Sequence, residues 1–421
     1  MSFTADFLDS LGVFSIHPGL DATFRLLEIA GHPEKSLRFI HIAGTNGKGS
    51  TGAMLESALR NAGWHTGFYT SPHLIDVRER FRIDGKMVDA ETLDALAREL
   101  AAQAPEKFYS YFEFATVLAA KLFAQAKCDV VIWETGLGGR LDATNTVTPV
   151  ASVITNIALD HVKLLGSTLG EIAAEKAGII KAGVPVFTGA LVPEAAEVVS
   201  RRAQKLAAPL TTVSATEIPL DHLDRIHRQQ CFKVDDQEIR LALLGGMQRR
   251  NCALAFNVIR YLCGRYNLNL TRAIAAWEQV KWPGRMQWVR DQLIVDGGHN
   301  PDGVGAAAAA MRELFPQERP AVIYGAFRDK AVEECLRIWA KTAGKMIFVP
   351  LPVAERPSHT PDELLNMWSK IAPDIPAETA GSGVAAIPAE PHELTIVSGS
   401  LYLAGDILRT LSGENAAGDL V

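Results

Sequence analysis

Cysteine is scarce, and its spacing suggests no pairing. Five residues (Cys128, Cys231, Cys252, Cys263 and Cys335) are spread over 421 positions, with no C-x-x-C pair. An odd, scattered set excludes a disulfide framework and a thiolate zinc site, and indicates reduced thiols in the cytoplasm. An excess of basic charge is also missing. Lys and Arg number 42 against 48 Asp and Glu, a net charge of -6. Broad nucleic-acid binding needs a basic face, so no nucleic-acid partner is expected, although a local basic pocket for a small anion stays open. The opening MSFTADFLDS carries acids and no basic stretch before an apolar run, unlike a signal peptide. The apolar stretch GVGAAAAAM is too short and too weakly apolar to cross a bilayer. The expectation is a soluble cytoplasmic protein with no membrane partner.

What is present is an ordinary globular balance, 48% hydrophobic and 21% charged, in a chain long enough for two domains. Apolar runs alternate with helical patterns from LRFIHIAG through HTGFYTS, CDVVIWE, VASVITNI and GVPVFTG. Continuous apolar strands separated by helices predict a parallel sheet covered on both faces. The rhythm then changes: QQCFKV and EIRLALLG flank a tight polar turn and read as a β-hairpin inserted in the first domain. Helical segments return in RNCALAFNVIRYLCGRY and TRAIAAWEQV. The Pro-Gly pair of KWPGRMQWVRD then marks a boundary near residue 285. The expected division is 1–284 and 285–421. In the second part QLIVDGG, PAVIYGA, KMIFVPL and LTIVSGS are strands. HTPDELLNMW starts a helix, with Thr360 as N-cap, Pro361 at the first position and Glu363 completing a capping box. The tail SGENAAGDLV is polar and is expected to fray.

IHIAGTNGKGST, residues 40–51, falls between a strand and a helix, the context of a phosphate loop. It departs from G-x-x-x-x-G-K-[ST], because Ile42 and Gly49 occupy the first glycine and hydroxyl positions. Gly44, Thr45, Asn46, Gly47, Lys48, Gly49 and Ser50 still offer what such a loop needs. Glycines let amides approach phosphate oxygens, Lys48 supplies charge for the β- and γ-phosphates, and Ser50 or Thr51 can meet magnesium. CDVVIWE ends at Glu134, where a strand-end carboxylate would hold magnesium. The following GLGGRL lacks the third glycine of a dinucleotide fingerprint, so a Rossmann cofactor is rejected. TSPHL places Ser71 beside His73, and ALDH offers Asp160 and His161. Strand ends of a parallel sheet gather on one side, so Ser71, Glu134 and His161 would converge there. In DVRERFRIDG, Arg78, Arg80 and Arg82 alternate. On an extended segment they would share a face, serving either substrate carboxylates or a solvated edge.

In order along the chain, HPGLDATFRLLEIAG, IHIAGTNGKGST, TSPHL, ERFRIDG, ETGLGGRLDATN, ALDH, EKAGIIK, PGRMQ, DGGHNP and SGSLY resemble the folylpolyglutamate synthase and dihydrofolate synthase family of the Mur ligase superfamily. The resemblance implies an α/β fold: an N-terminal P-loop NTPase-like Mur ligase central domain with the hairpin insertion, then a smaller C-terminal Rossmann-like α/β ligase domain. It implies an ATP-dependent ligase that adds L-glutamate by γ-linkage to reduced folates through an acyl phosphate, in folate biosynthesis and one-carbon metabolism. The alternative within the family joins glutamate to dihydropteroate. ATP and two Mg2+ ions are implied. Ser71 and Glu134 would hold one metal and His161 the second, with Lys48, His161 and Lys176 catalytic and Lys176 N6-carboxylated. Asn251, Arg285, Asp296 and His299 would join the phosphate loop in binding ATP, lying between two domains that close, and Arg80 and Arg82 would bind substrate. The chain departs from the family at Val162-Lys163 after DH and at Ala331 after Asp329-Lys330.

Other readings fit less well. A peptidoglycan-precursor ligase would need a further domain before the loop at Gly44. A regulatory phosphate-loop ATPase leaves DGGHNP unexplained, and a degenerate structural relative would not need Lys48, Glu134, His161 and Lys176 intact. A monomer is expected.

Overall fold

The computed structural model describes residues 2–12, 19–213, 217–353, 356–387 and 393–412; most of the tail expected to fray, 413–421, lies outside them. Two compact units are present. The first comprises Met1–Thr216 with Asn251–Trp277, and the second Glu217–Arg250 with Glu278–Val421. The segment carrying the hairpin thus groups with the C-terminal part of the chain. Its bonds supply the reason. Arg249 donates to the Ile218 carbonyl at 2.6 Å and to Gln230 at 2.8 Å, and pairs with Glu313. Arg228 donates to the Trp288 carbonyl at 3.1 Å, and Gln229 to that of Glu278 at 2.7 Å.

The first unit is built on an eight-stranded sheet. Its strands are β1 (Phe39–Ala43), β2 (Thr66–Tyr69), β3 (Phe81–Ile83), β4 (Lys86–Met87), β5 (Val130–Glu134), β6 (Ala151–Ile154), β7 (Val186–Thr188) and β8 (Leu210–Thr212). The order is β4-β3-β2-β5-β1-β6-β7-β8. From β2 to β8 all neighbours run parallel, and every residue of β1, β5 and β6 is buried, as continuous apolar runs require. β3 and β4 add an antiparallel edge beside β2, joined by Asp84-Gly85 with both residues at positive φ. Phe39 and Tyr69 lie against the Trp133 ring at 5.1 and 4.9 Å between centroids, at the heart of the core. Register does the functional work: Ile42 faces Glu134 and Ala43 faces Ile154, so β1, β5 and β6 end level with one another.

The second unit holds two sheets. β9 (His222–Asp224), β10 (Gln229–Val234) and β11 (Gln237–Leu241) form a small antiparallel sheet that includes the hairpin read from the sequence. β12 (Gln287–Arg290), β13 (Leu293–Val295), β14 (Ala321–Tyr324), β15 (Lys345–Phe348), β16 (Ala377–Thr379) and β17 (Thr395–Ser398) form the other, in the order β12-β13-β17-β14-β15-β16. All its pairs are parallel except β12 with β13. The helix Pro361–Ile371 starts as expected: Thr360 accepts from the Glu363 amide and Glu363 from that of Thr360.

Candidate active site

Residues 44–47 connect β1 to the helix Lys48–Asn61, and their course is dictated by close approaches. A Cβ on Gly44 would stand 1.9 Å from the Thr155 hydroxyl, and Gly47, at φ +83°, would bring one to 2.7 Å from the Asn251 carboxamide oxygen. Only glycine fits either place. The segment after β6 moulds the loop from the other side. The Thr45 amide donates to the Asn156 carbonyl (2.9 Å), the Asn46 amide to the Asn156 side chain (2.7 Å), and the Thr155 hydroxyl to the Asn46 carbonyl (2.6 Å). Thr155 and Asn156 were not singled out from the sequence, where TNI after a strand looks like an ordinary loop. In the first turn of the helix, the buried Thr51 hydroxyl has no hydrogen-bond partner.

Two lysines converge on one carbonyl of this loop. Lys48 Nζ donates to Gly44 O at 3.1 Å, and Lys176 Nζ donates to the same oxygen at 2.9 Å. Lys176 is buried at the end of the helix Leu169–Lys176. Burial, and then the charge of Lys48, lower its pKa to about 7, opposed by Asp160 and Asp142. The GLGGRLDATN stretch, rejected as a dinucleotide site, grips this helix end. The Arg140 amide donates to Glu175 O at 2.8 Å, and Asn145 donates to the carbonyls of Arg140 (3.0 Å) and Gly178 (3.2 Å). A Cβ on Gly139 would meet Glu175 O at 2.9 Å. Buried Asp142 accepts from the Leu137 and Thr144 amides and the Thr144 hydroxyl, and burial raises its pKa.

Glu134 ends β5 buried beside the loop strand, accepting from the Thr70 hydroxyl and, at 3.4 Å, from the Ser71 amide. Ser71 and Glu134 are therefore brought together. His161 lies seven residues past β6 in the left-handed region (φ 49°). Its side chain is 47% exposed, and its Nε2 is 3.9 Å from Asp160. Among the described residues no group of three or more His, Cys, Asp or Glu side chains forms a ready-made metal cage. A buried carboxylate, hydroxyls and an unpartnered Thr51 oxygen suit Mg2+, which takes one or two protein carboxylates and completes its shell with phosphate oxygens and water.

The arginines of residues 78–82 do not line one face of an extended segment. Val77–Arg80 is a 3-10 helix, in which positions two apart point in different directions. Arg78 pairs with Asp76 at 2.7 Å. Arg80 is buried and donates to His73 Nδ1 at 2.9 Å, and buried Arg82 donates to the Glu79 carbonyl at 3.1 Å. Neither of the two forms a solvated edge. Burial, aided by the Arg80 charge, lowers the His73 pKa to about 3.

In the second unit the DGGHNP segment forms its own cluster. Buried Asp296 accepts from the Met286 (2.9 Å) and Gly298 (2.8 Å) amides; burial raises its pKa against the pull of Arg285. His299 Nδ1 lies 3.0 Å from Gly297 O, and Asn300 caps the helix Pro301–Leu314.

The chain matches the family model for the Mur ligase middle domain over residues 42–259, and that for the Mur ligase glutamate ligase domain over 284–401. It is 34% identical over 420 residues to the dihydrofolate synthase/folylpolyglutamate synthase of Bacillus subtilis (strain 168), covering 94% of this chain and 96% of that one. The folylpolyglutamate synthase of Thermotoga maritima superposes with a TM-score of 0.85 at 28% identity, over 98% of this chain and 97% of that one. E. coli FolC in complex with DHPP and ADP gives 0.84 at 28% identity, over 97% of each chain. The resemblance in the sequence and the architecture agree, and this chain belongs to the folylpolyglutamate synthase/dihydrofolate synthase family of ATP-dependent Mur ligases.

Proposed function

We propose that this protein uses ATP and Mg2+ to add L-glutamate by γ-linkage to a reduced folate. The observation that carries this reading is the convergence of Lys48 and Lys176 on the glycine-moulded loop, with Glu134 level with it one strand away. A carboxylate is a poor electrophile. Transfer of the γ-phosphoryl group to it makes an acyl phosphate and ADP. The glutamate amine then attacks the acyl carbon and releases phosphate as the amide forms. Both reactants of the first step are anionic, so fixed positive charge is the main requirement. Lys48 and the amides of 44–50 would hold the triphosphate, with Asn251 against Gly47. Ser71 and Glu134 would hold one Mg2+ and His161 a second; the ions would supply charge neutralisation for the phosphoryl oxygens. Lys176 as its N6-carboxylate would change from a cation into an anion beside the loop. Arg285, Asp296 and His299 would contribute to nucleotide binding from the second unit. The protein would act as a cytoplasmic monomer.

A second reading, glutamate joined to dihydropteroate, is favoured by one observation: the B. subtilis relative carries both activities in its name. Phosphate release and product mass, measured with ATP, Mg2+ and glutamate, separate the two. Product from tetrahydrofolate but not dihydropteroate supports the extension reaction, and product from both makes the enzyme bifunctional. Product from dihydropteroate alone replaces the first reading with the second. Turnover stimulated by neither acceptor overturns the folate assignment.

A further inference from the structure

The segment that follows β6 meets the phosphate loop through two separate sets of bonds. Thr155 and Asn156 hold the loop itself, with the Thr45 amide on Asn156 O, the Asn46 amide on the Asn156 side chain and the Thr155 hydroxyl on Asn46 O. The second set runs the other way. The Thr45 hydroxyl donates to Ala158 O at 3.1 Å and accepts from the Ala158 amide, also at 3.1 Å. One side-chain oxygen thus satisfies both backbone groups of a single residue. Its only proton is committed to Ala158 O, which leaves none to offer a phosphate oxygen. Beyond Ala158 there is little apolar packing to hold the chain. Leu159, Val162 and Leu164 are all exposed, and packing on the core resumes at Leu165. Between these points lies His161, its backbone in the left-handed region and its amide on the Asp160 carboxylate at 2.9 Å. That bond is local, and does not fix where the turn sits against the loop.

We infer that Thr45 is a positioning residue for His161: by clamping Ala158, its hydroxyl sets the turn 159–161 against the phosphate loop and so presents the His161 ring to Mg2+ bound with the nucleotide. This rests on the reading above in which His161 holds one Mg2+. The two sets of bonds give the clamp a direction. Without the hydroxyl the loop keeps its three bonds to Thr155 and Asn156, whereas Ala158 loses both of its bonds to Thr45. Its removal should displace His161 and leave the cradle standing.

The test is a double-mutant cycle read by calorimetric titration with a non-hydrolysable ATP analogue and Mg2+, which needs no acceptor. Thr45→Val keeps the shape and removes the hydroxyl. It should weaken binding about tenfold, and Thr45→Ser, which restores the hydroxyl, should recover most of that loss. In a His161→Ala background the same Thr45→Val change should cost about twofold or less, because the group it positions is already gone. A full, additive loss in that background overturns the inference, since the hydroxyl would then act without His161. So does unchanged affinity in Thr45→Val. If His161→Ala alone costs nothing, the metal role of His161 falls, and the positioning role of Thr45 with it. Amide exchange of the nucleotide-free protein reads the clamp directly. The Ala158 amide should be protected in the wild type, and Thr45→Val should release it while the Asn46 amide stays protected. An unprotected Ala158 amide in the wild type overturns the inference whether or not the variants fold. Wild-type protein that binds the analogue but turns over no folate overturns the folate reading alone, and leaves Thr45 in its role.

Discussion

At the scale of single residues, charge decides. Lys48→Ala removes the loop's cation and Glu134→Ala its buried carboxylate, and each should lower kcat/KM by about 10²-fold or more in phosphate-release assays. Melting should remain cooperative for both. Lys176 carries a more particular expectation. An amine reacts with carbon dioxide only when neutral, and a pKa near 7 leaves about half of it neutral at neutral pH. Lys176→Ala should abolish turnover, and short carboxylic acids added to the assay should restore part of it by standing in for the carbamate. An intact mass showing unmodified lysine in fully active enzyme would refute the modification. Much at this scale was legible in the sequence, since Lys48, Glu134 and Lys176 each sit in a distinctive string. The arginines were not. The alternation in RERFR suggested an extended face, yet Asp76-Val77-Arg78-Glu79 spells D-x-x-E, the same capping pattern that correctly placed Thr360 and Glu363. The local turn signal outranked the two-residue period.

At the scale of elements, the site depends on backbone approaching backbone. Gly44→Ala would drive a methyl group into the Thr155 hydroxyl and displace it from Asn46 O. Relieving that clash should cost about 1–3 kcal/mol of stability. It should also weaken nucleotide binding at least tenfold by calorimetric titration with a non-hydrolysable ATP analogue. Equal affinity in the variant would mean that the loop's shape is not set by the segment after β6. The central strands were readable because burial on both faces makes them uniformly apolar. The edges were not. β3 and β4 span three and two residues and are rich in charge, while β16 is the mostly exposed triplet AET. Short edge strands of this kind carry little hydrophobic signal and resist further pairing.

For the whole molecule, pH acts through a histidine buried in the central strand of the first unit. His41 is fully buried in β1. It donates from Nε2 to the Thr144 hydroxyl at 2.9 Å, while its Nδ1 has no hydrogen-bond partner. Burial, and then the charge of Lys181, lower its pKa from 6.5 to about 3. Between those values the unfolded chain binds a proton that the native protein does not, so stability falls as pH drops from about 6.5 towards 3. Thermal melts should show this loss, and His41→Gln, which retains an N–H donor, should flatten the slope by the equivalent of one proton. An unchanged slope would place the acid sensitivity elsewhere. Two units with separate cores were anticipated, but which unit the 217–250 segment joins depends on Arg249 and Arg228 reaching partners distant in sequence, which no local pattern reveals.

The five cysteines have a practical consequence. All are buried, and burial raises the thiol pKa of every one, to about 12 at Cys128 and about 11 at Cys335. Thiolate is the nucleophile, so maleimide and iodoacetamide reagents should leave the native protein almost untouched. A single cysteine introduced on the surface would then be the one labelled position. A fluorophore or spin label could be attached there without first stripping the natural thiols from the chain.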